Sequence, residues 1–442
     1  MAHQYDNQTQ LPKEPIDIVI DPFKRFIHIE STSGVVLLLA TVIALLLANS
    51  PWSENFLSFW KIKVGFTLGS FEMKHSLQHW INDFLMSVFF FVIGLEVKRE
   101  LVMGELQEFK RAILPIFAAL GGMIVPAAIY LSLQIDAPGA RGWGIPMATD
   151  IAFVVGCLAI LGPRIPNSLR VMLLSLAIAD DIGAILVIAI GYTESLDLGM
   201  ILLAFAGIII FLLLMKIGVR NVAIYLIVAL VTWFGFHESG VHATIAGVII
   251  GLLTPTTSWI SESRLHHIVQ NALHYMQGEG WSNSQEHYTK LRELERATRK
   301  TISPLKRFEA DLHPWVGFVI MPLFALANAG VVIEASVITH PVAIAVILGL
   351  FLGKPIGIFL FSWLAVVLRI ASLPDDINWG ALLGGGALAG IGFTMALFIS
   401  GLALVGDLLN AAKTGVLIGS FFSAGLGFIL LLYFLKKPPE KV

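Results

Sequence analysis

Long apolar runs, each broken by only a few polar positions, recur from residue 32 to residue 435. About 20 apolar residues in a helix are needed to cross the ~30 Å hydrocarbon layer of a bilayer. By that criterion twelve segments are candidates: 32–50, 77–96, 112–133, 143–161, 168–192, 199–217, 222–236, 239–255, 314–333, 341–368, 379–402 and 410–435. The seventh and eighth are short and joined by His237-Glu238, so they also fit a re-entrant pair, with no effect on which side the ends lie. The expected fold class is an all-α polytopic membrane protein. Between the first two spans, residues 60–74 alternate polar and apolar around Gly69-Ser70, which reads as a β-hairpin. An exposed hairpin edge suits pairing with another subunit; a solvated loop fits the pattern equally.

The polar remainder sets the expected boundaries. Residues 1–31 are mixed in charge, too long and too acidic for the basic start of a signal peptide, so the first apolar run reads as a retained span. Spans one to eight occupy 32–255, a polar loop 256–313, spans nine to twelve 314–435, and a short tail 436–442. Within the loop, Leu291, Leu294, Ile302 and Leu305 recur at near-helical spacing, predicting an amphipathic helix over 288–305.

Composition agrees: of 442 residues, 56% are hydrophobic and 14% charged, against roughly 25% charged in soluble domains. The net charge of −2 is uninformative, and no basic stripe points to a nucleic-acid partner. A single cysteine, Cys157, excludes an intrachain disulfide and paired-cysteine metal motifs. His266, His267, His274 and His287 lack metal-ligand spacing. With both termini cytoplasmic, the large majority of Lys and Arg fall on the cytoplasmic side, as the positive-inside rule requires; Lys61, Lys63, Lys74, Arg141 and Lys413 fall outside.

Candidate chemistry lies within the spans. Asp180 and Asp181 sit amid an apolar run with about a dozen residues on each side. A charge at the bilayer centre costs about 2.5–3.5 kcal/mol on insertion scales, and neighbouring carboxylates repel, so this pair should bind a proton or a cation. Adjacent helical residues point about 100° apart; one acid faces a cavity squarely and the other flanks it or reaches a partner. The bland alternative is an Asp pair at a wet helix end. Lys354, deep in span ten, needs a carboxylate partner, a water-filled cavity or deprotonation, unless it snorkels to the interface.

Two spans read as interrupted. Span four contains Pro146, Thr149 and Asp150; span eleven carries five glycines within 384–392. Broken helices at membrane depth line cavities and offer their ends to ions, although glycines also serve close helix packing. Spans three to five and ten to twelve each centre on an interrupted member and start from opposite sides, the arrangement of inverted repeats. Asp150 would then offset paired positive helix N-termini, and Lys354 paired negative C-termini.

The stretches Phe91-Val-Ile-Gly-Leu-Glu96-Val-Lys98-Arg99-Glu100, Pro146-Met-Ala-Thr149-Asp150, Ala177-Ile-Ala-Asp180-Asp181-Ile-Gly, Ser239-Gly-Val-His242-Ala-Thr, Gly353-Lys354-Pro355 and Gly390-Ile-Gly-Phe-Thr394-Met resemble, in order, the NhaA-type sodium/proton antiporter family. That family is built on inverted repeats. The resemblance implies twelve helices, location in a bacterial inner membrane, and export of sodium or lithium coupled to proton entry, with no cofactor. It implies an ion and proton site at Asp180 and Asp181, with Thr149, Asp150 and Lys354 at a helix crossing. A pH-response cluster would comprise Glu96, Arg99, Glu100, Glu309 and His313; for Glu96, Arg99 and Glu100 the alternative is an ordinary interfacial salt-bridge cluster. It further implies a homodimer, with the 60–74 hairpin as contact. The chain departs from the family's Arg-Leu-Glu-His segment, reading Arg307-Phe-Glu309-Ala310, and its preceding loop is long. His242 reads as a packing residue in preference to a sensor.

Other classes fit less well. A retinal-type pump with a Schiff base on Lys354 predicts seven spans and a coloured protein. An intramembrane aspartyl protease expects its acids on different spans in a Gly-x-Gly-Asp context, whereas Asp180 and Asp181 are neighbours. The same fold exporting another monovalent cation differs only in flux.

Overall fold

The computed structural model describes residues 30–68, 71–193, 196–219, 222–258, 260–277 and 284–435. Among them, eight helices are long and apolar enough to cross a membrane: Leu77–Met103, Lys110–Gln134, Ala140–Arg164, Asn167–Gly191, Leu198–Ile217, Pro304–Asn328, Pro341–Val367 and Gly406–Phe434. Trp379–Ala389 and Phe393–Ala403, bent by 47° at their break, make a ninth if taken as one span. Three shorter apolar helices, Ser33–Ala48, Ile224–Glu238 and Thr244–Leu253, fall on the first, seventh and eighth expected segments. The chain is thus a largely helical, multi-pass membrane protein with one small sheet.

The helices pack with their polarity reversed relative to a water-soluble domain. Leu198–Ile217 leaves Leu202 70% and Ile209 56% exposed, an apolar outer face that lipid satisfies and water does not. Inside, Asp150, Asp180 and Lys354 are almost wholly buried. Close helix contact comes from glycine where lipid provides no hydrophobic drive. Lys110–Gln134 meets the helix Lys354–Val367 at Gly121 and Gly357, where a Cβ on Gly121 would lie 2.1 Å from the Gly357 carbonyl oxygen. Gly94 and Gly251 fit the same way between Met86–Met103 and Thr244–Leu253.

The hairpin forms from strands Lys63–Leu68 and Phe71–Ser76, antiparallel with Lys63 opposite Ser76 and Leu68 opposite Phe71. Its turn, Gly69-Ser70, lies outside the described residues, as do residues 1–29 and 436–442. Ser76 then caps Leu77–Trp80 by accepting from the His79 amide at 3.1 Å, and Trp80 Nε1 donates to the Val64 carbonyl at 2.8 Å.

The polar loop holds two helices, Glu262–Gln277 and Ser284–Thr301. The second ends before Leu305 because Ser303 accepts from the Lys306 amide and Pro304 takes the first helical position, which starts a new helix. Ile302 is therefore exposed, while Leu305 packs in the core. That new helix, Pro304–Trp315, runs through a π-helical turn at Val316–Ile320 into Met321–Asn328. The ninth apolar segment thus begins ten residues earlier than hydropathy suggests. A similar π turn at Gly349–Gly353 immediately precedes Lys354.

Candidate ion-binding site

Both expected interruptions are present, and they meet. The 3₁₀ segment Ala140–Met147 gives way at residues 148–150 to non-helical backbone, and Ile151–Leu161 starts beyond it. Across from it, Trp379–Ala389 breaks at residues 390–392 and resumes as Phe393–Ala403. The two breaks bond directly: the Asp150 amide donates to the Ile391 carbonyl at 2.7 Å, and Thr149 Oγ1 to the Ala389 carbonyl at 2.8 Å. Glycine is needed for this approach, since a Cβ on Gly392 would lie 2.9 Å from the Ala148 carbonyl oxygen. Gly384, Gly385 and Gly386 stay helical and pack against Leu431, Leu173 and Pro355 instead. Only Gly390 and Gly392 of the glycine-rich run belong to the break.

Asp150 serves two helix starts at once. Its carboxylate accepts from the Phe153 amide, capping Ile151–Leu161, and from the Thr394 amide at 3.1 Å and the Thr394 hydroxyl, at the start of Phe393–Ala403. Free N–H groups and helix dipoles make both ends positive, so a carboxylate is the fitting group between them. Lys354 Nζ donates to Thr149 Oγ1 at 2.7 Å. Because Thr149 in turn donates to the last turn of Trp379–Ala389, the ammonium is linked to a negative helix C-terminus through one hydroxyl.

The same ammonium lies 2.6 Å from Asp180 Oδ2. Lysine and aspartate are fully buried, and the second oxygen, Asp180 Oδ1, is buried with no hydrogen-bond partner. Asp181, 4% exposed, makes no side-chain hydrogen bond or ion pair among the described residues. It is repelled by Asp180, Glu96 and Asp150 and attracted by Lys354. One acid of the pair is held and the other stands open. Asp181 and Asp180 Oδ1 are oxygen donors of the kind that a small hard cation takes.

The five residues expected in the pH-response cluster also come together. Arg99 pairs with Glu309 and lies 3.9 Å from Glu100, and His313 Nδ1 is 3.7 Å from Glu96 Oε1. The cluster joins Met86–Met103 to Pro304–Trp315, so Glu309 and His313 sit on a span helix and not in the loop before it. Beside it opens a cavity of about 380 Å³, with Glu100, Glu105, Glu108 and Arg111 on one wall and Leu174 and Ser175 on the other. Ser175 lies on Asn167–Gly191, about 9 Å along the helix from Asp181.

Several features escaped sequence reasoning. Thr394 stood in a recognised stretch, yet nothing local marks it as a ligand of Asp150; the signal is an Asp and a Thr at equivalent places in two broken spans. Asn82 and Asn328 exchange amide hydrogen bonds of 3.3 and 2.7 Å, with Gln78 donating to Asn328 at 3.1 Å. Lys413, counted outside from the sequence, is only 7% exposed and lies within Gly406–Phe434, with no ion pair among the described residues.

Residues 24–431 match the family described as Na+/H+ antiporter 1. The chain belongs to that family. Its curated relatives cover nearly the full length: the Na(+)/H(+) antiporter NhaA of Rhodopirellula baltica is 56% identical over 436 residues, 99% of each chain. The Na(+)/H(+) antiporter NhaA 2 of Vibrio vulnificus is 51% identical over 98% of this chain and 97% of its own. The Na(+)/H(+) antiporter NhaA of Rhizobium meliloti is 51% identical over 92% of this chain and 93% of its own. Membership of this family marks the chain as a transporter, with ions as cargo.

Proposed function

We propose that this protein exports sodium, or lithium, in exchange for entering protons, at a site formed by Asp180 and Asp181. Thr149, Asp150 and Lys354 hold the two broken helices around that site. One observation carries the reading: a buried acid pair at a helix crossing, with one member held by lysine and the other without a side-chain partner among the described residues. In this proposal the chain crosses a bacterial inner membrane twelve times with both ends cytoplasmic. The segments around 112–192 and 341–435 form inverted repeats about the crossing.

The cycle follows from competition for the same oxygens. With the site open to the cytosol, sodium binds as protons leave Asp180 and Asp181. The repeats rock, and protons from outside displace the ion. Two protons per sodium bring one net charge inward per cycle, and a membrane potential of 100 mV adds about 2.3 kcal/mol to that step. Loading requires ionised carboxylates, so exchange accelerates as the cytosol turns alkaline. Glu96, Arg99, Glu100, Glu309 and His313, beside the cavity mouth, are the groups through which pH regulation would act.

Inside-out vesicles with an imposed proton gradient test this. Added sodium should collapse the gradient, more strongly at higher pH, and Asp180→Asn or Asp181→Asn should abolish the effect. No sodium response at any pH from about 6.5 to 9, the range bracketing histidine and perturbed carboxylates, would overturn it.

A further inference from the structure

At the hairpin end of the molecule three imidazoles converge. His75 is the penultimate residue of the strand Phe71–Ser76, His79 lies on Leu77–Trp80, and His237 is at the end of the helix Val222–Glu238. One ring nitrogen from each can be chosen so that all three lie within 4.8 Å of one another. Asp83, one turn beyond His79, brings Oδ2 to 3.5 Å from His79 Nε2 and 3.3 Å from His237 Nδ1. The rings of His75 and His79 stack with centroids 4.3 Å apart. The Trp233 indole lies 11° from parallel over His237 at 5.2 Å and fixes its plane. The spacing His75-x3-His79-x3-Asp83 puts the hairpin's end and the start of the next helix on one side; His237 arrives from a distant element.

Hydrogen bonding alone does not satisfy this group. One carboxylate faces three bases, and His79 Nε2, buried, has only the 3.5 Å contact to Asp83 and no hydrogen bond among the described residues. Charging all three rings to supply donors would stack like charges at contact distance. A divalent transition metal answers every demand at once, since imidazole nitrogens and a carboxylate are the donors such ions take in four-coordinate sites. Tetrahedral zinc holds its nitrogens about 3.3 Å apart. The rings are half-buried, with side-chain exposures of 38% for His79 and 12% for His237, and close that distance by side-chain rotation.

We propose that His75, His79, His237 and Asp83 form a binding site for a zinc-like divalent metal ion, which clamps the hairpin and the 222–238 helix to the start of Leu77–Met103. The site lies about 20 Å along that helix from Glu96, shares no residue with the Asp180–Asp181 pocket, and does not depend on the transport reading.

The test uses the full chain, purified without a polyhistidine tag and stripped with chelator. After addition of Zn²⁺ and desalting, about one ion per chain should remain, as a single site requires. Co²⁺ should give the visible bands of a four-coordinate ion. His79→Ala/His237→Ala, and separately His75→Gln, should lose most of the retained metal and the bands, and Zn²⁺ should raise the melting temperature of the unaltered chain alone. With chelator present, the variants should match the unaltered chain in circular dichroism and in gel-filtration profile in detergent, which shows that they are folded. No retained metal in the unaltered chain, or equal retention by folded variants, overturns the proposal.

Discussion

Lys354 is held inside the protein by two contacts, Asp180 at 2.6 Å and Thr149 at 2.7 Å. Removing one partner of a buried pair leaves the other uncompensated, at a cost of about 3–5 kcal/mol. Lys354→Ala should therefore lower the melting temperature in detergent sharply and abolish exchange. Lys354→Met/Asp180→Asn should recover part of that stability, because neither charge remains, while still failing to transport. A double variant no more stable than Lys354→Ala would show that the ion pair is not what holds the two helices. At this scale the sequence was most legible: an acid or a lysine amid apolar residues is conspicuous because burying it is expensive. Thr394 was not, because a threonine hydroxyl satisfies itself on its own helix at little cost, and only the crossing gives it Asp150.

At the scale of elements, the glycines separate into kinds that composition cannot tell apart. Gly121 faces backbone, with a Cβ position 2.1 Å from the Gly357 oxygen, whereas Gly425 on Gly406–Phe434 has nothing within 4 Å. Gly121→Ala should push away the helix that carries Lys354 and destabilise by about 1–3 kcal/mol, with loss of exchange. Gly425→Ala should be neutral or stabilising by up to about 1 kcal/mol, because alanine favours a helix. Thermal unfolding of the two variants side by side checks both signs. Apolar runs made the helices readable, and Pro146 and the glycine cluster marked which spans break. Their ends were less legible: Ser303-Pro304 starts a helix inside a polar stretch, where hydropathy has no signal but capping chemistry does. The partnership of the two breaks is a fact of tertiary structure, carried by hydrogen bonds between residues some 240 positions apart.

For the molecule as a whole, the hairpin is the piece whose work lies elsewhere. Its two strands pair with each other, and the edge of a two-stranded sheet is where a second copy of the chain could add a strand. We propose a homodimer joined through this edge: replacing residues 64–74 by a Gly-Ser link should then give a monomer in mild detergent, read by light scattering, while per-chain exchange stays within about twofold, since an edge pairing supplies association and not the site. A replaced chain that remains dimeric would place the contact on another surface. A cavity lies beside Ser175, and Asn82 and Asn328 tie Leu77–Met103 to Pro304–Asn328 nearer the hairpin.

The solitude of Asp181 bears on what the carrier must not do. Bare and fully ionised, Asp150, Asp180 and Asp181 outweigh Lys354 by two negative charges in a region shielded from water. Swinging that surplus past the lipid would be far harder than swinging it neutralised by hydrogen ions or lessened by a metal cation. In the proposed exchange, an unladen turnover is the step that would let sodium slip back down its own gradient. In that cycle Asp181 works as an escapement: the exchange advances only with a passenger aboard.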